Sequence, residues 1–113
     1  MASLRDLEVR HLVAFDAVAR EGTFGRAADK LGYTQSAISQ QIASLERLVD
    51  GKLFDRPGGP KPVELTPLGE QLLVSARELL ARVDADGEHL DRFRTGEVGR
   101  LTVGTYQSVS AKV

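Results

Sequence analysis

The stretch YTQSAISQQIASLE, residues 33–46, combines the apolar spacing of a helix with an uncharged opposite face. With Ile38, Ile42 and Leu45 turned inward, the outward residues are amides, hydroxyls and one small side chain: Gln35, Ser36, Ser39, Gln40 and Ala43. Amides and hydroxyls donate and accept hydrogen bonds, whereas a carboxylate would repel phosphate, so this face suits the base edges of a DNA major groove. The alternative is a solvated helix, because Ser and Thr are common at helix starts anyway.

Two further helices are predicted before this stretch. Apolar residues recur at helical spacing over residues 4–22, with Ser3 or Asp6 available as the N-cap and Gly22 as the left-handed stop. The second helix lies within TFGRAADKLG, residues 23–32, and Thr34 can cap the third. The second and third helices, joined by a tight turn that contains Gly32, predict a helix-turn-helix motif over about residues 24–43.

A hairpin is predicted after the third helix. Two short apolar pieces flank a Gly- and Pro-rich loop that carries Arg56 and Lys61, which is typical of a wing over about residues 52–65. Residues 1–66 therefore form a winged helix-turn-helix domain, whose wing would touch DNA backbone or minor groove. Alternatively, Arg56 pairs with Asp55 or Glu64 and braces the hairpin.

A long linker helix is predicted over residues 67–96. Thr66 and Pro67 supply an N-cap and a proline at the first helical position. From Leu65 to Phe93 the mostly apolar positions alternate steps of four and three, a narrow seam that suits a partner helix, although the segment 84–87 weakens it at Asp86. The residues expected to form this dimer seam are Leu72, Ala76, Leu79, Val83 and Leu90. Residues 97–113 alternate like a strand and predict the start of a second, α/β domain, because one strand cannot bury itself.

Composition limits the compartment and the partners. The chain has 113 residues, a formal net charge of −1 and no cysteine, which excludes disulfides and thiolate zinc sites and suits a reducing cytosol. No apolar run approaches a membrane span and no signal peptide is visible, so a membrane partner is not expected. Residues 1–66 carry nine basic and nine acidic side chains. Because that balance gives only modest non-specific affinity for DNA, two copies should act together.

Other classes of function lack the residues that they need. An enzyme would need convergent polar groups, yet His11 and His89 lie on different predicted helices and no Gly-rich phosphate loop is present. Two distant histidines do not make a metal site either, and no cofactor is expected in this chain. The remaining rival is a winged helix used for protein interaction or dimerisation. A gel shift on a cognate duplex but not on random duplex would separate the two.

The segments FGRAADKLGYTQSAISQQIASLE, LFDRP and V-x-LTPLG together resemble the N-terminal half of LysR-type transcriptional regulators, over about residues 7–93. The resemblance implies a bacterial, cytoplasmic, nucleoid-associated regulator of transcription with a winged helix-turn-helix and a linker helix. It also implies an effector domain that senses an unknown small molecule, homodimers that assemble into homotetramers, and RNA polymerase as a partner.

Carried over by position, the resemblance implies contacts to double-stranded DNA at an interrupted palindromic operator. The candidate DNA-binding residues are Thr34, Gln35, Ser36, Ser39 and Gln40 on the third helix and Arg56 and Lys61 on the wing. Two features depart from the family pattern. Position 40 is often Arg in this family, and Gln40 lacks the guanidinium group that pairs with guanine through two hydrogen bonds. The wing PGGPKP is also longer and richer in proline than usual.

Overall fold

The computed structural model describes residues 3–55 and 61–95, which are mainly helical. Their elements, in chain order, are a 3-10 turn at Leu4–Asp6, α1 at Val9–Glu21, α2 at Phe24–Leu31, α3 at Gln35–Val49, β1 at Phe54–Asp55, β2 at Glu64–Leu65 and α4 at Pro67–Thr95. The predicted fold class, a winged helix-turn-helix followed by a long helix, is confirmed.

The first predicted helix is in fact two elements. Ser3 caps only the 3-10 turn, where its Oγ accepts from the Arg5 amide at 3.1 Å. Leu7 then adopts an extended backbone conformation, and α1 begins at Val9. The Glu8 amide donates to Nδ1 of His11 at 3.0 Å, so a histidine ring satisfies a backbone donor at this helix start.

The ends of α2 and α3 follow the sequence signals. The hydroxyl oxygens of Thr23 and Thr34 each accept an amide hydrogen bond of 3.0 Å from the residue three positions on. Gly32 ends α2 with a φ of 75°, in the left-handed region that favours glycine. This turn sets the angle at which α3 leaves α2.

One apolar core joins the helices to the hairpin. Its largest fully buried side chains are Phe15, Ile38, Ile42, Leu45, Leu53 and Val18. Phe54 meets Phe15 and Phe24 edge to face, at ring-centroid distances of 5.4 and 6.1 Å. The strand β1 is therefore anchored in the helical core, while its pairing with β2 is antiparallel, Phe54 opposite Leu65 and Asp55 opposite Glu64.

The chain separates into two compact units, Met1–Leu80 and Ala81–Val113. The first turns of α4 belong to the first unit, in which Leu73 and Ala76 are part of the core. In the second unit, every described residue, 81–95, is exposed. The predicted second domain at residues 97–113 lies outside the described residues, and the domain limits at residues 66 and 96 stay predictions. Within residues 3–55 and 61–95, no helix has the length and hydropathy needed to cross a membrane.

Candidate nucleic-acid interface

The core fixes which face of α3 points outward. Ile38, Ile42 and Leu45 are fully buried, and α3 contacts both α1 and α2 through this side. Because a helix turns 100° per residue, burying this stripe leaves the opposite side of α3 in solvent. The inward residues predicted from spacing are confirmed.

The polar residues predicted to face outward lie largely in solvent. Gln35, Ser36 and Gln40 are exposed, and Ser39 and Ala43 are partly exposed. No described residue forms a hydrogen bond with the side chain of Gln35, Ser36, Ser39 or Gln40. These amides and hydroxyls keep their donors and acceptors available to a ligand. Thr34 is also exposed, but its hydroxyl oxygen already accepts from the Ala37 amide, so it orients the start of the helix.

Glu46 lies on the domain side of α3 instead of its outward face. The residue is only 9% exposed, and its Oε2 accepts from the Leu53 amide at 2.9 Å. Nζ of Lys52 lies 3.8 Å from Oε1. Glu46 therefore connects α3 to the base of the wing. Since it is the single acidic residue of α3, the helix presents no exposed carboxylate from Gln35 to Val49.

Arg47 lies on the same exposed face as Ser36 and Gln40, although it is not among the residues predicted to bind DNA. Positions 36, 40 and 47 fall within about 40° of one another around a helix with 3.6 residues per turn. The guanidinium Nη2 donates to Ser44 Oγ at 3.1 Å, one turn back along α3. Helical spacing alone could have revealed Arg47, but the adjacent Glu46 made this end of the helix look acidic.

The base of the wing is held by two backbone hydrogen bonds, one to the end of α1 and one between its own two sides. The Val63 amide donates to the Gly22 carbonyl at 2.9 Å, and the Thr66 amide donates to the Leu53 carbonyl at 3.0 Å. Lys61 is exposed. Arg56 lies outside the described residues, so its contact with DNA and its pairing with Asp55 or Glu64 both stay predictions.

The structure divides the predicted linker seam between two environments. Ala76 is fully buried in the core of its own unit, and Leu72 packs partly against that core. Ala76 therefore faces the interior of its own unit and has no exposed side-chain surface to offer a dimer seam, while the seam itself stays a prediction. The other three seam residues are exposed, Leu79 to 47%, Val83 to 44% and Leu90 to 63%.

An ion-pair network joins α1 to the start of α4. Asp16 accepts from Arg77 Nε at 2.8 Å and from Arg20 Nε at 2.9 Å. Partial burial raises the pKa of Asp16, but the hydrogen bonds and charges of the two arginines outweigh it, so the pKa lies below its ordinary value of 3.8. The network links the linker helix to the domain by a charged contact as well as by the core.

The two histidines lie on different helices, as predicted. His11 is buried in α1, where its ring accepts the Glu8 amide, and His89 is exposed on α4. Across residues 3–55 and 61–95, no group of three His, Cys, Asp or Glu side chains could hold a metal ion.

Comparison with known proteins identifies the family. Residues 9–70 match the family described as bacterial regulatory helix-turn-helix protein, lysR family. The HTH-type transcriptional regulator YnfL of Escherichia coli (strain K12) is 40% identical over 99 residues, 88% of this chain and 33% of that relative. TfdT of Cupriavidus pinatubonensis (strain JMP 134 / LMG 1197) is 40% identical over 95 residues, 84% of this chain and 41% of that relative. The chain thus spans only about a third of the length of such relatives.

Solved structures agree with this assignment. The DNA-binding domain of BenM in complex with benA site 1 DNA superposes with a TM-score of 0.71 at 39% identity, covering 80% of this chain and 99% of that chain. The CbnR DNA-binding domain in its DNA complex gives a TM-score of 0.69 at 33% identity, covering 80% of this chain and 99% of that chain. A family match over more than half of the residues, with the same winged-helix architecture, leads to one conclusion: this chain belongs to the LysR family of bacterial regulatory helix-turn-helix proteins.

Proposed function

We propose that this chain is the DNA-binding portion of a transcriptional regulator and that α3 reads a specific duplex sequence in the major groove. The observation that carries the proposal is the exposed face of α3, which presents unpaired amides and hydroxyls and no exposed carboxylate. A helix inserted in the groove meets base-edge donors and acceptors at its centre and phosphates at both sides. The DNA complexes of the BenM and CbnR domains support this assignment.

The side chain of Gln40 predicts which base α3 prefers. A glutamine amide pairs best with adenine, whose N6 donates and whose N7 accepts, whereas arginine pairs with O6 and N7 of guanine. Because Gln40 is exposed and unpaired, we expect a selected adenine at one position of each half-site. Ser39 and Ser36, beside it, would add single hydrogen bonds to bases or phosphates.

Selection of bound sequences from a random duplex pool tests this base preference. Gln40→Arg should exchange the selected adenine for guanine, and Gln40→Ala should lose the preference at that position, at a cost of about 1–3 kcal/mol in specific binding. Gln71→Arg is the matched control, because it adds the same charge on an exposed position of α4. If the selected sequences are identical for all four proteins, α3 is not the reading helix. If none binds duplex specifically, a protein-interaction role replaces the DNA-binding one.

The exposed apolar residues of α4 support dimerisation. Leu79, Val83 and Leu90 recur at steps of four and seven, so regular helical geometry places them on one stripe of α4. Burying such a side chain is worth about 1.5–3 kcal/mol, and a two-fold dimer buries each position twice. Two linked recognition helices would explain how a domain with balanced charge binds tightly, and they would require an interrupted palindromic operator.

Leu79→Asp tests the dimer, because it would place two carboxylates in the seam. We expect a monomer in analytical ultracentrifugation, helical content largely retained and operator affinity reduced to the non-specific level. Val74→Asp is the matched control, since Val74 is 62% exposed but lies about 140° from Leu79 around α4. A Leu79→Asp protein that stays dimeric would place the interface elsewhere.

The functions of the longer protein are proposals that the family supports. They comprise sensing of a small-molecule effector by a further domain, assembly of dimers into tetramers, contact with RNA polymerase and residence in the cytoplasm on the nucleoid. None of them depends on the residues described above, whereas DNA reading and dimerisation do.

A further inference from the structure

The last turn of α3 carries an exposed cation that the proposed interface has not yet used. Arg47 shares its face with Ser36 and Gln40, and no carboxylate among the described residues pairs with it. Its hydrogen bond to Ser44 Oγ keeps the guanidinium on α3 instead of on a neighbouring element. The adjacent acid, Glu46, is turned into the domain and occupied by the Leu53 amide. The positive charge of Arg47 is therefore presented to whatever docks on this face.

The position of Arg47 along the helix determines which part of DNA it can reach. A rise of 1.5 Å per residue puts Arg47 about 10 Å beyond Gln40 along the axis of α3. The major groove is about 12 Å wide, so a residue that far from a base-reading position lies near the groove edge, where the phosphates are. A guanidinium there meets anionic oxygens, with which it forms charge-assisted hydrogen bonds.

We propose that Arg47 binds a backbone phosphate at the edge of the groove that α3 occupies and so fixes how deeply and in which register α3 docks. This inference rests on the proposed DNA-binding function. It extends the interface of α3 by two turns beyond Gln40, to the C-terminal end of the helix. Because the winged-helix domain has equal numbers of acidic and basic side chains, its net charge supplies no general attraction to DNA, so its affinity depends on individual phosphate contacts of this kind.

The salt dependence of operator binding measures this contact. Each phosphate contact contributes about 0.9 to the slope of log affinity against log salt concentration, so Arg47→Ala should reduce the slope by about 1.8 for a dimer on two half-sites. Between about 50 and 200 mM salt, the wild type should lose about 12-fold more affinity than the variant, which is about 3.5-fold per half-site. Arg47→Lys keeps the point charge and should retain most of the slope.

Arg10→Ala is the matched control, because Arg10 is an exposed arginine on α1 that pairs with Glu8. Its salt slope should equal that of the wild type. Circular dichroism of each variant should match the wild type, since Arg47 makes one surface hydrogen bond within its own helix.

Three results separate the outcomes. A slope unchanged by Arg47→Ala, with wild-type operator binding intact, overturns the phosphate contact but leaves the function standing. A loss of operator affinity that Arg47→Lys does not restore, together with a changed base preference in the selected sequences, overturns the phosphate contact in favour of a guanine contact. Absence of specific binding by the wild type overturns the proposed function itself.

Discussion

Gly69, in the first turn of α4, lies against the backbone at the base of the wing. A Cβ built on this residue would be 2.2 Å from the Leu53 carbonyl oxygen and 3.0 Å from Cδ2 of Leu65. Favourable contacts between non-bonded heavy atoms lie at about 3.5–4.0 Å, so Gly69→Ala requires α4 or the chain at Leu53 to move by about 1 Å. The obstructing atom belongs to the backbone, and the same carbonyl accepts the Thr66 amide at 3.0 Å. A side-chain rotation cannot relieve the clash.

The magnitude of the Gly69→Ala effect follows from three opposing contributions. Overpacking costs about 1–3 kcal/mol, and weakening the Thr66–Leu53 hydrogen bond adds up to about 1 kcal/mol. Alanine favours the helix over glycine by about 1 kcal/mol. The sum lies between about 0 and 3 kcal/mol, so we expect Gly69→Ala to reduce the free energy of unfolding by about 1.5 kcal/mol, which corresponds to a melting temperature lower by about 6–12 °C.

Gly87→Ala is the matched control for this prediction. It is the same substitution in the same helix, but a Cβ at residue 87 would meet nothing within 4 Å. The higher helix propensity of alanine is then the sole effect of the substitution. Helical content should be kept, and the free energy of unfolding should stay the same or rise by up to about 1 kcal/mol. Urea unfolding followed by circular dichroism, at one protomer concentration, gives both values. Stabilisation by Gly69→Ala equal to that by Gly87→Ala would refute the close approach of α4 to Leu53.

Two further substitutions test the polar contacts that join the elements. Asp16→Asn should cost up to about 1 kcal/mol near pH 7 because its pairs are partly exposed. Since the pKa of Asp16 is lowered, the carboxylate stabilises the fold while ionised, and the deficit should shrink as the pH falls below 3.8; an equal deficit in urea unfolding at neutral and acidic pH would contradict this. Glu46→Ala should cost about 1–3 kcal/mol because it removes the carboxylate acceptor of the Leu53 amide, whereas Glu46→Gln keeps an acceptor and should cost less. Equal losses for both variants would show that charge, not the hydrogen bond, matters.

Most of the winged helix was predictable because its signals are local. Each apolar stripe occurs within one helix, and Thr23, Thr34 and Gly32 act within a turn of their own positions. The outward face of α3 could be derived for the same reason, since it is the complement of Ile38, Ile42 and Leu45. Where a local signal was misread, at the start of α1, an extended residue at Leu7 interrupts a pattern that is still apolar at helical spacing.

The environment of Glu46 could not be derived from its own helix. Its partner is the backbone amide of Leu53, seven residues further along the chain and directly before β1. The contact therefore forms only when the hairpin folds back onto α3. Propensity and periodicity give equal support to an exposed glutamate at this position. This matters for the proposed DNA binding, because a buried Glu46 leaves Arg47 as the exposed charged side chain within α3.

The linker helix shows how one sequence pattern can serve two surfaces. Steps of four and three describe both the inward set of Gly69, Leu73 and Ala76 and the exposed set of Leu79, Val83 and Leu90. The spacing alone cannot separate the inward set from the exposed set, because both stripes of the helix repeat at the same steps. The core ends within the first turns of α4, where Ala76 is fully buried. Leu80 still packs partly against that core, whereas Leu79, Val83 and Leu90 are exposed, which is why we propose these three residues as the contact with a second copy of the chain.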